Sequence, residues 1–170
     1  MKLYISERFL TLKDKAAVTD ENGTVRYYVH GDFAIAKKYY VDDVNGIQLA
    51  SVVQKKISST GTCVVSRNGN DIAEIVPKIT LFRPKYEVKK LGWTIEGNFN
   101  QDKYSIQQNG TAIVNVQVRL LTKGNAFEID IADGIDEVNA LAVVLVIEGI
   151  LENTVIGTAV NSSVQSSFLS

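Results

Sequence analysis

The sequence contains only one cysteine, Cys63, and only one histidine, His30. A single cysteine excludes a disulfide bond within the chain, and a single histidine excludes a metal site built from several imidazoles. The formal net charge is −1, so the chain has no overall attraction for nucleic acid, and no nucleic-acid partner is expected. The reduced thiol, together with a first segment that lacks a long apolar run and a cleavage site, favours a cytoplasmic protein without a signal peptide.

The usual sequence signatures of catalysis are also missing. The chain has no glycine-rich phosphate loop, no Gly-x-Ser-x-Gly elbow and no paired-cysteine zinc motif. His30 is expected on the outer face of its strand with no nucleophile beside it, and Cys63 is expected to be a small buried residue. The acidic pairs are explained by turns and by helix capping. The sequence therefore predicts a protein that is not an enzyme and holds no cofactor or metal.

What the chain does have is a repeated hairpin signal. Asn-Gly is the strongest short-range signal for a two-residue hairpin turn of type I′, because both central residues then need positive φ. Each copy lies between strand-like runs, and the first three copies are evenly spaced. The four copies are Asn22-Gly23, Asn45-Gly46, Asn68-Gly69 and Asn109-Gly110.

Many of the runs between these turns alternate apolar and polar residues. Val114, Val116 and Val118 fall on one face of a strand, whereas Asn115 and Gln117 fall on the other. Strands with one apolar face need a core to pack against. Counted along the chain, the runs predict about a dozen short strands, which is typical of a barrel or a sandwich.

One late segment does not alternate. Residues 140–147 are apolar without a break, so a helix here would be apolar on every side and must be buried on every side. We predict a helix over about 136–152, with Asp133 as its N-cap. Glu148 makes the apolar run too short for a membrane span, which needs about 20 residues. The length of the helix, about 24 Å, matches that of a seven-residue strand, so it fits along the axis of a barrel.

Several of these features together resemble a known family. They are the opening Met-Lys-Leu-Tyr-Ile with Asp14-Lys15, the recurring Val-x-Asp-x-x-Gly and Tyr-x-Val units, the run Trp93-x-Ile95-x-Gly97, and the late apolar helix preceded by aspartate. The chain resembles the LURP-one-related (YxjI-like) proteins of the tubby C-terminal-like superfamily. The resemblance implies an all-β, mostly antiparallel closed barrel of about twelve strands around a buried hydrophobic C-terminal helix. The expected domain is 1–153, followed by a polar tail over 154–170.

The same resemblance gives only an indirect indication of function. Bacterial members of the family have no generally assigned activity. Tubby domains bind phosphoinositide headgroups, and the related phospholipid scramblases act at membranes. None of their functional residues can be placed on matching positions of this sequence, so kinship of fold remains an analogy about function.

Basic residues concentrate in the middle third of the chain, and several are expected near strand ends at one rim of the barrel. Such a rim would attract a phosphorylated headgroup by about 1 kcal/mol per basic residue. The other explanation is a solvated surface on which lysines discourage pairing between strand edges. The candidate anion-binding residues are Lys55, Lys56, Lys78, Arg83 and Lys85.

Two functions are consistent with the sequence. The first is a non-catalytic cytoplasmic binding or scaffold domain that binds anionic, phosphoinositide-like lipid headgroups at the membrane surface, without a transmembrane segment. The alternative is a protein-interaction or structural domain without a small-molecule ligand, with Tyr28 or Tyr40 as contact residues. Headgroup binding through lysines should weaken as ionic strength rises, whereas an aromatic contact should persist.

Overall fold

The computed structural model describes residues 1–6, 15–32, 38–55, 61–78, 80, 84–101, 103–121 and 124–150. These residues form twelve β-strands, one turn of 3-10 helix at Phe99–Gln101 and one α-helix, α1, over residues 137–150. The strands are β1 (Lys2–Ser6), β2 (Ala16–Asp20), β3 (Val25–Asp32), β4 (Lys38–Asp42), β5 (Gln48–Gln54), β6 (Cys63–Arg67), β7 (Asn70–Lys78), β8 (Lys85–Lys89), β9 (Trp93–Asn98), β10 (Lys103–Gln108), β11 (Thr111–Leu121) and β12 (Gly124–Ile131).

The strands close into a barrel in which every neighbour is antiparallel. Each strand pairs with the next one along the chain, and β1 closes the ring by pairing with β12 in the register Tyr4↔Glu128. Closure removes free strand edges from the sheet. The predicted architecture, a closed antiparallel barrel of twelve strands with a C-terminal helix, is confirmed.

The barrel interior is filled by α1. None of the residues from Ala140 to Ile147 is more than 1% exposed. The inward-facing residues of the strands, mostly valine and isoleucine, pack around the helix in one hydrophobic core. The expectation that this helix is buried on every side is confirmed. The predicted helix end at residue 152 and the predicted tail over 154–170 lie outside the described residues, and the boundary at residue 153 stays a prediction.

The N-cap of α1 differs from the prediction, although the helix starts within one residue of the predicted position 136. The helix begins at residue 137, and its N-cap is Asp136 rather than Asp133. The Asp136 carboxylate accepts a hydrogen bond from the Asn139 N–H at 2.9 Å, and its carbonyl accepts the first helical bond, from Ala140, at 3.0 Å. The chain is still turning at Asp133, because the next residue is a glycine with a φ of +80°. The prediction of Asp133 as the N-cap was therefore wrong by three residues.

Two of the four Asn-Gly turns have the predicted geometry. Asn68 and Asn109 adopt φ values of 49° and 51°, and the glycine after each is also positive, as a type I′ turn requires. Asparagine tolerates this left-handed conformation better than other residues with a side chain. The two-residue hairpins β6–β7 and β10–β11 follow from it.

The other two Asn-Gly turns are of a different kind, so the type I′ prediction was wrong for Asn22 and Asn45. Only the glycine has positive φ in each. In the first, the Asp20 carboxylate accepts hydrogen bonds from the Asn22 and Thr24 N–H groups, both at 2.9 Å. Asp43 makes the equivalent two bonds in the next hairpin at 2.8 Å. The aspartate two residues before the asparagine thus selects a longer turn.

The Asn-Gly turns and the start of α1 lie at the same end of the barrel, which we call the turn end. The last described residues of α1 lie at the opposite end, which we call the far end. There the Tyr104 hydroxyl donates a hydrogen bond to the buried Glu148 carboxylate at 2.8 Å. Because successive strands alternate in direction, β7 ends, and β8 and β10 begin, at the far end.

Candidate functional site

The structure places the described members of the predicted basic set at the far end of the barrel. Lys78 ends β7 and Lys85 begins β8, and the two residues are direct cross-strand partners. Lys55 directly follows β5, whose last residue also lies at the far end. Lys56 and Arg83 lie outside the described residues. Two of the predicted lysines are therefore brought face to face on the outer surface.

Each of these lysines has a carboxylate partner on another strand. The partners hold the half-exposed lysine side chains in position and reduce the local positive charge. Sequence reasoning did not find these glutamates as partners, because their pairing depends on the register between strands. The pairs are Lys55 with Glu74 (3.9 Å between Nζ and Oε1), Lys78 with Glu87 (3.4 Å between Nζ and Oε2), and Lys85 with Glu96.

A groove continues this surface over the outer face of β9, β10 and β11. Its volume is about 510 Å³. The strand register arranges its outward side chains in two rows of three residues. The first row is Glu96, Ser105 and Asn115, and the second is Asn98, Lys103 and Gln117. Because Glu96 also holds Lys85, the groove adjoins the predicted lysine pair.

A second groove, of about 500 Å³, lies over β1, β2, β11 and β12. A buried carboxylate, Glu128, forms part of its lining. It accepts hydrogen bonds from Tyr4 at 3.2 Å and Gln117 at 2.9 Å, and it lies 3.3 Å from the Arg119 guanidinium. Burial alone would raise the pKa of Glu128, but these bonds from Gln117, Arg119 and Tyr4 hold it below its ordinary value. The carboxylate is therefore engaged with the protein itself.

His30 lies on the outer face of β3, as predicted, but it is not an isolated exposed side chain. Its Nε2 lies 3.2 Å from Oδ2 of the buried Asp42, which Lys15 also contacts. The imidazole ring stacks on Tyr40 at a centroid distance of 4.9 Å. Within the described part of the chain, no serine, threonine or cysteine side chain hydrogen-bonds to His30. Its contacts tie β3 to β4 and to Lys15.

Cys63 is buried at the start of β6, as predicted. Burial raises the pKa of its thiol to about 11, so the reactive thiolate is scarce at neutral pH. Across the described ranges, no group of three or more histidine, cysteine or acidic side chains could hold a metal ion. No helix among those residues is long and apolar enough to cross a membrane.

These features define a class of protein: an antiparallel barrel filled by its own C-terminal helix, with the grooves of about 500 Å³ on its outer surface. The model of the LURP-one-related family matches residues 1–148, and the chain belongs to that family. The function of the family is uncharacterised. Family membership, which sequence motifs had indicated, is thereby confirmed.

Two known proteins extend this comparison. The chain is 23% identical, over 154 residues, to the uncharacterized protein YxjI of Bacillus subtilis (strain 168), a match that covers 90% of this chain and 95% of that protein. It is also similar to a protein of Arabidopsis thaliana whose X-ray structure is known, with a TM-score of 0.59 and 11% identity over 89% of this chain and 91% of that one. The second match concerns the fold alone.

Proposed function

We propose that this protein is a non-catalytic binding domain that recognises anionic lipid headgroups through the outer surface at the far end of its barrel. The observation that carries the proposal is the cross-strand register of Lys78 with Lys85. Like charges directly opposite each other destabilise a sheet, and here the partners Glu87 and Glu96 offset that repulsion. A ligand with negative charge would offset it further.

The packing of the barrel supports an external rather than an internal site. The side chains of α1 fill the axis, and the interior pocket beside Tyr39 and Val146 has a volume of about 10 Å³. A small-molecule site usually measures about 300 to 1,000 Å³. The grooves of that size among the described residues lie on the outer face. A ligand of the size of a headgroup therefore has room outside the barrel.

The glutamate partners are expected to weaken the binding of a ligand to either lysine alone. A headgroup phosphate must compete with Glu87 for Lys78 and with Glu96 for Lys85, so one lysine alone offers little gain. Two neighbouring lysines, each contributing about 1 kcal/mol near an anionic surface, give about thirtyfold in affinity. Binding is expected to weaken as salt rises, because the side chains are exposed enough to be screened.

Vesicle co-sedimentation tests this proposal. Wild-type protein should pellet with vesicles that contain phosphatidylglycerol or phosphoinositides, but not with neutral phosphatidylcholine vesicles. The double variant Lys78→Gln/Lys85→Gln should bind about thirtyfold more weakly. The matched control is Lys89→Gln/Lys90→Gln, which removes the same charge at the turn end, from the last residue of β8 and the residue after it, and should bind like wild type. Equal losses in both variants would show that net charge alone is responsible, and no pelleting would refute the proposal.

A specific observation also favours the protein-interaction alternative. The turn after β4 exposes Val44 and Ile47, which are 55% and 62% accessible. The equivalent turn after β2 has the same hydrogen bonds but carries Glu21 and Thr24 at these positions. The turn geometry therefore does not require apolar residues. Tyr28 and Tyr40, the predicted contact residues, are only half-exposed, so this turn is the better candidate surface for a protein partner.

A further inference from the structure

The groove over β9–β11 is a concave feature on the outer face of the barrel. It includes the cross-strand pair Gly97↔Tyr104 of β9 and β10. A Cβ atom on Gly97 would lie 2.5 Å from the Tyr104 Cβ and 2.6 Å from the Lys103 carbonyl oxygen, so only glycine fits there. A glycine inside a strand is typical of a sharp bend or of a close approach to another group.

Most of the outward side chains of this groove are polar and uncharged. Three of the six are carboxamides, one is a hydroxyl, one is a lysine and one is a glutamate. Among the described residues, the side chains of Asn98, Asn115 and Lys103 make no hydrogen bond or ion pair. Each carboxamide offers both donors and an acceptor, whereas the lysine offers only donors.

We propose that this groove binds the hydroxylated part of a phosphate ligand, that is, a glycerol-like or other polyol phosphate. Asn98 and Asn115 flank the groove from β9 and β11 and exchange hydrogen bonds with the ligand hydroxyls, which also both donate and accept. Lys103, between them on β10, contacts the phosphate. The inference rests on the proposed binding of anionic headgroups and adds a chemical preference to it, because charge alone does not distinguish one phosphodiester from another.

The second groove has nearly the same volume but does not suit this ligand. Its buried carboxylate, Glu128, is already engaged by Tyr4, Gln117 and Arg119. Its rim is acidic, since Asp20 and Glu21 line it. An anion would be repelled there, whereas Glu96 is the one acid in the groove over β9–β11 and is held by Lys85.

The experiment compares two lipids of the same charge. Vesicles containing phosphatidylglycerol present a phosphodiester with two free hydroxyls, whereas vesicles containing phosphatidylmethanol present a phosphodiester with none. Wild-type protein should bind phosphatidylglycerol about tenfold more tightly, as expected for two additional hydrogen bonds. Asn98→Ala/Asn115→Ala should lose this preference and still bind phosphatidylmethanol as wild type does. The control Gln48→Ala removes an exposed amide at the turn end and should keep the preference.

A second arm separates a membrane headgroup from a free ligand. Glycerol 3-phosphate and inorganic phosphate are each titrated into 15N-labelled wild-type protein, and the side-chain amide signals of Asn98 and Asn115 are followed. Amide shifts with glycerol 3-phosphate but not with inorganic phosphate support the polyol preference. If the amide signals shift with glycerol 3-phosphate and the protein does not bind vesicles, the ligand is a free polyol phosphate.

The outcomes separate the two proposals. Equal binding of wild type to both anionic vesicles would overturn the polyol inference and leave headgroup binding intact. The inference would also be overturned by a preference that survives in Asn98→Ala/Asn115→Ala. No vesicle binding and no amide shifts would overturn both.

Discussion

Truncating Leu145 to alanine tests whether the buried helix holds the barrel together. Leu145 lies in the middle of α1 and is 1% exposed, and the helix around it is buried on every side. The substitution removes three carbon atoms from a site enclosed by a closed ring of hydrogen-bonded strands. Such a ring cannot collapse easily into the space, because every strand is paired on both sides.

The expected cost follows from this enclosure. Leucine-to-alanine changes in protein cores cost about 3 to 5 kcal/mol, and the cost increases with the volume that stays empty. We expect about 4 kcal/mol here, because little relaxation is available. The better helix propensity of alanine offsets only a few tenths of a kcal/mol. For a chain of this size, the loss corresponds to a fall in Tm of roughly 8 to 16 °C.

The assay is urea unfolding followed by the fluorescence of Trp93, supported by a thermal melt. Leu120→Ala is the matched control, because Leu120 is 85% exposed and the same truncation should change the free energy of unfolding by less than about 0.5 kcal/mol. Leu145→Asp should abolish cooperative unfolding, since it would place an unpaired charge in the core. A loss of less than about 1 kcal/mol for Leu145→Ala, or a soluble and cooperative Leu145→Asp protein, would refute the reasoning.

Two further changes test contacts at the two ends of the helix. Gly149→Ala should destabilise the protein by about 1 to 3 kcal/mol in urea unfolding, because a Cβ atom would lie 2.7 Å from the Tyr39 ring carbon Cζ. Helix propensity alone predicts the opposite, a gain of about 1 kcal/mol in stability. A variant more stable than wild type would therefore contradict this packing. At the other end, partial burial would raise the pKa of Asp136, but hydrogen bonds from the Asn139 N–H and the Arg67 guanidinium lower it from 3.8. Its ionised form therefore stabilises the fold above that pH and loses this contribution as the pH falls below it. Asp136→Asn keeps the cap but not the charge. Wild type should therefore be more stable by less than about 1 kcal/mol at pH 7, and the difference should shrink as the pH falls below 3.8, whereas a constant difference would exclude an ionic contribution.

The fold was predictable because its signals are local. Alternation along β11 separates Val114 and Val116 from Asn115 and Gln117, and the structure places the two sets on opposite faces. The unbroken apolar run of 140–147 indicated burial on every side. The type of the turns at Asn22 and Asn45 was not predicted. The carboxylates of Asp20 and Asp43, two residues before each asparagine, determine the turn type there, and the Asn-Gly pair does not.

The candidate site was only partly predictable. The clustering of lysines in the middle third indicated a basic rim, and Lys78 and Lys85 do lie together. Their glutamate partners, and the two rows of the groove, arise from the register across five strands, β7 to β11, which a single sequence does not specify. Alternation could have placed Asn115 and Gln117 on an outer face, but not Asn98 beside them.

The closed barrel limits how this protein can bind anything. A ring without free edges cannot accept a partner strand, and an axis filled by α1 leaves little space for a ligand inside. Recognition is thus expected on the outer face, where most charged groups that the structure describes are paired with each other. Two features of the far end are candidates for recognition, namely the facing lysines of β7 and β8 and the Asn98 and Asn115 carboxamides over β9–β11. Glu96 pairs with Lys85 and also lines the groove over β9–β11, so the two features adjoin. This shared position favours one ligand with a phosphate and hydroxyl groups over two unrelated surfaces.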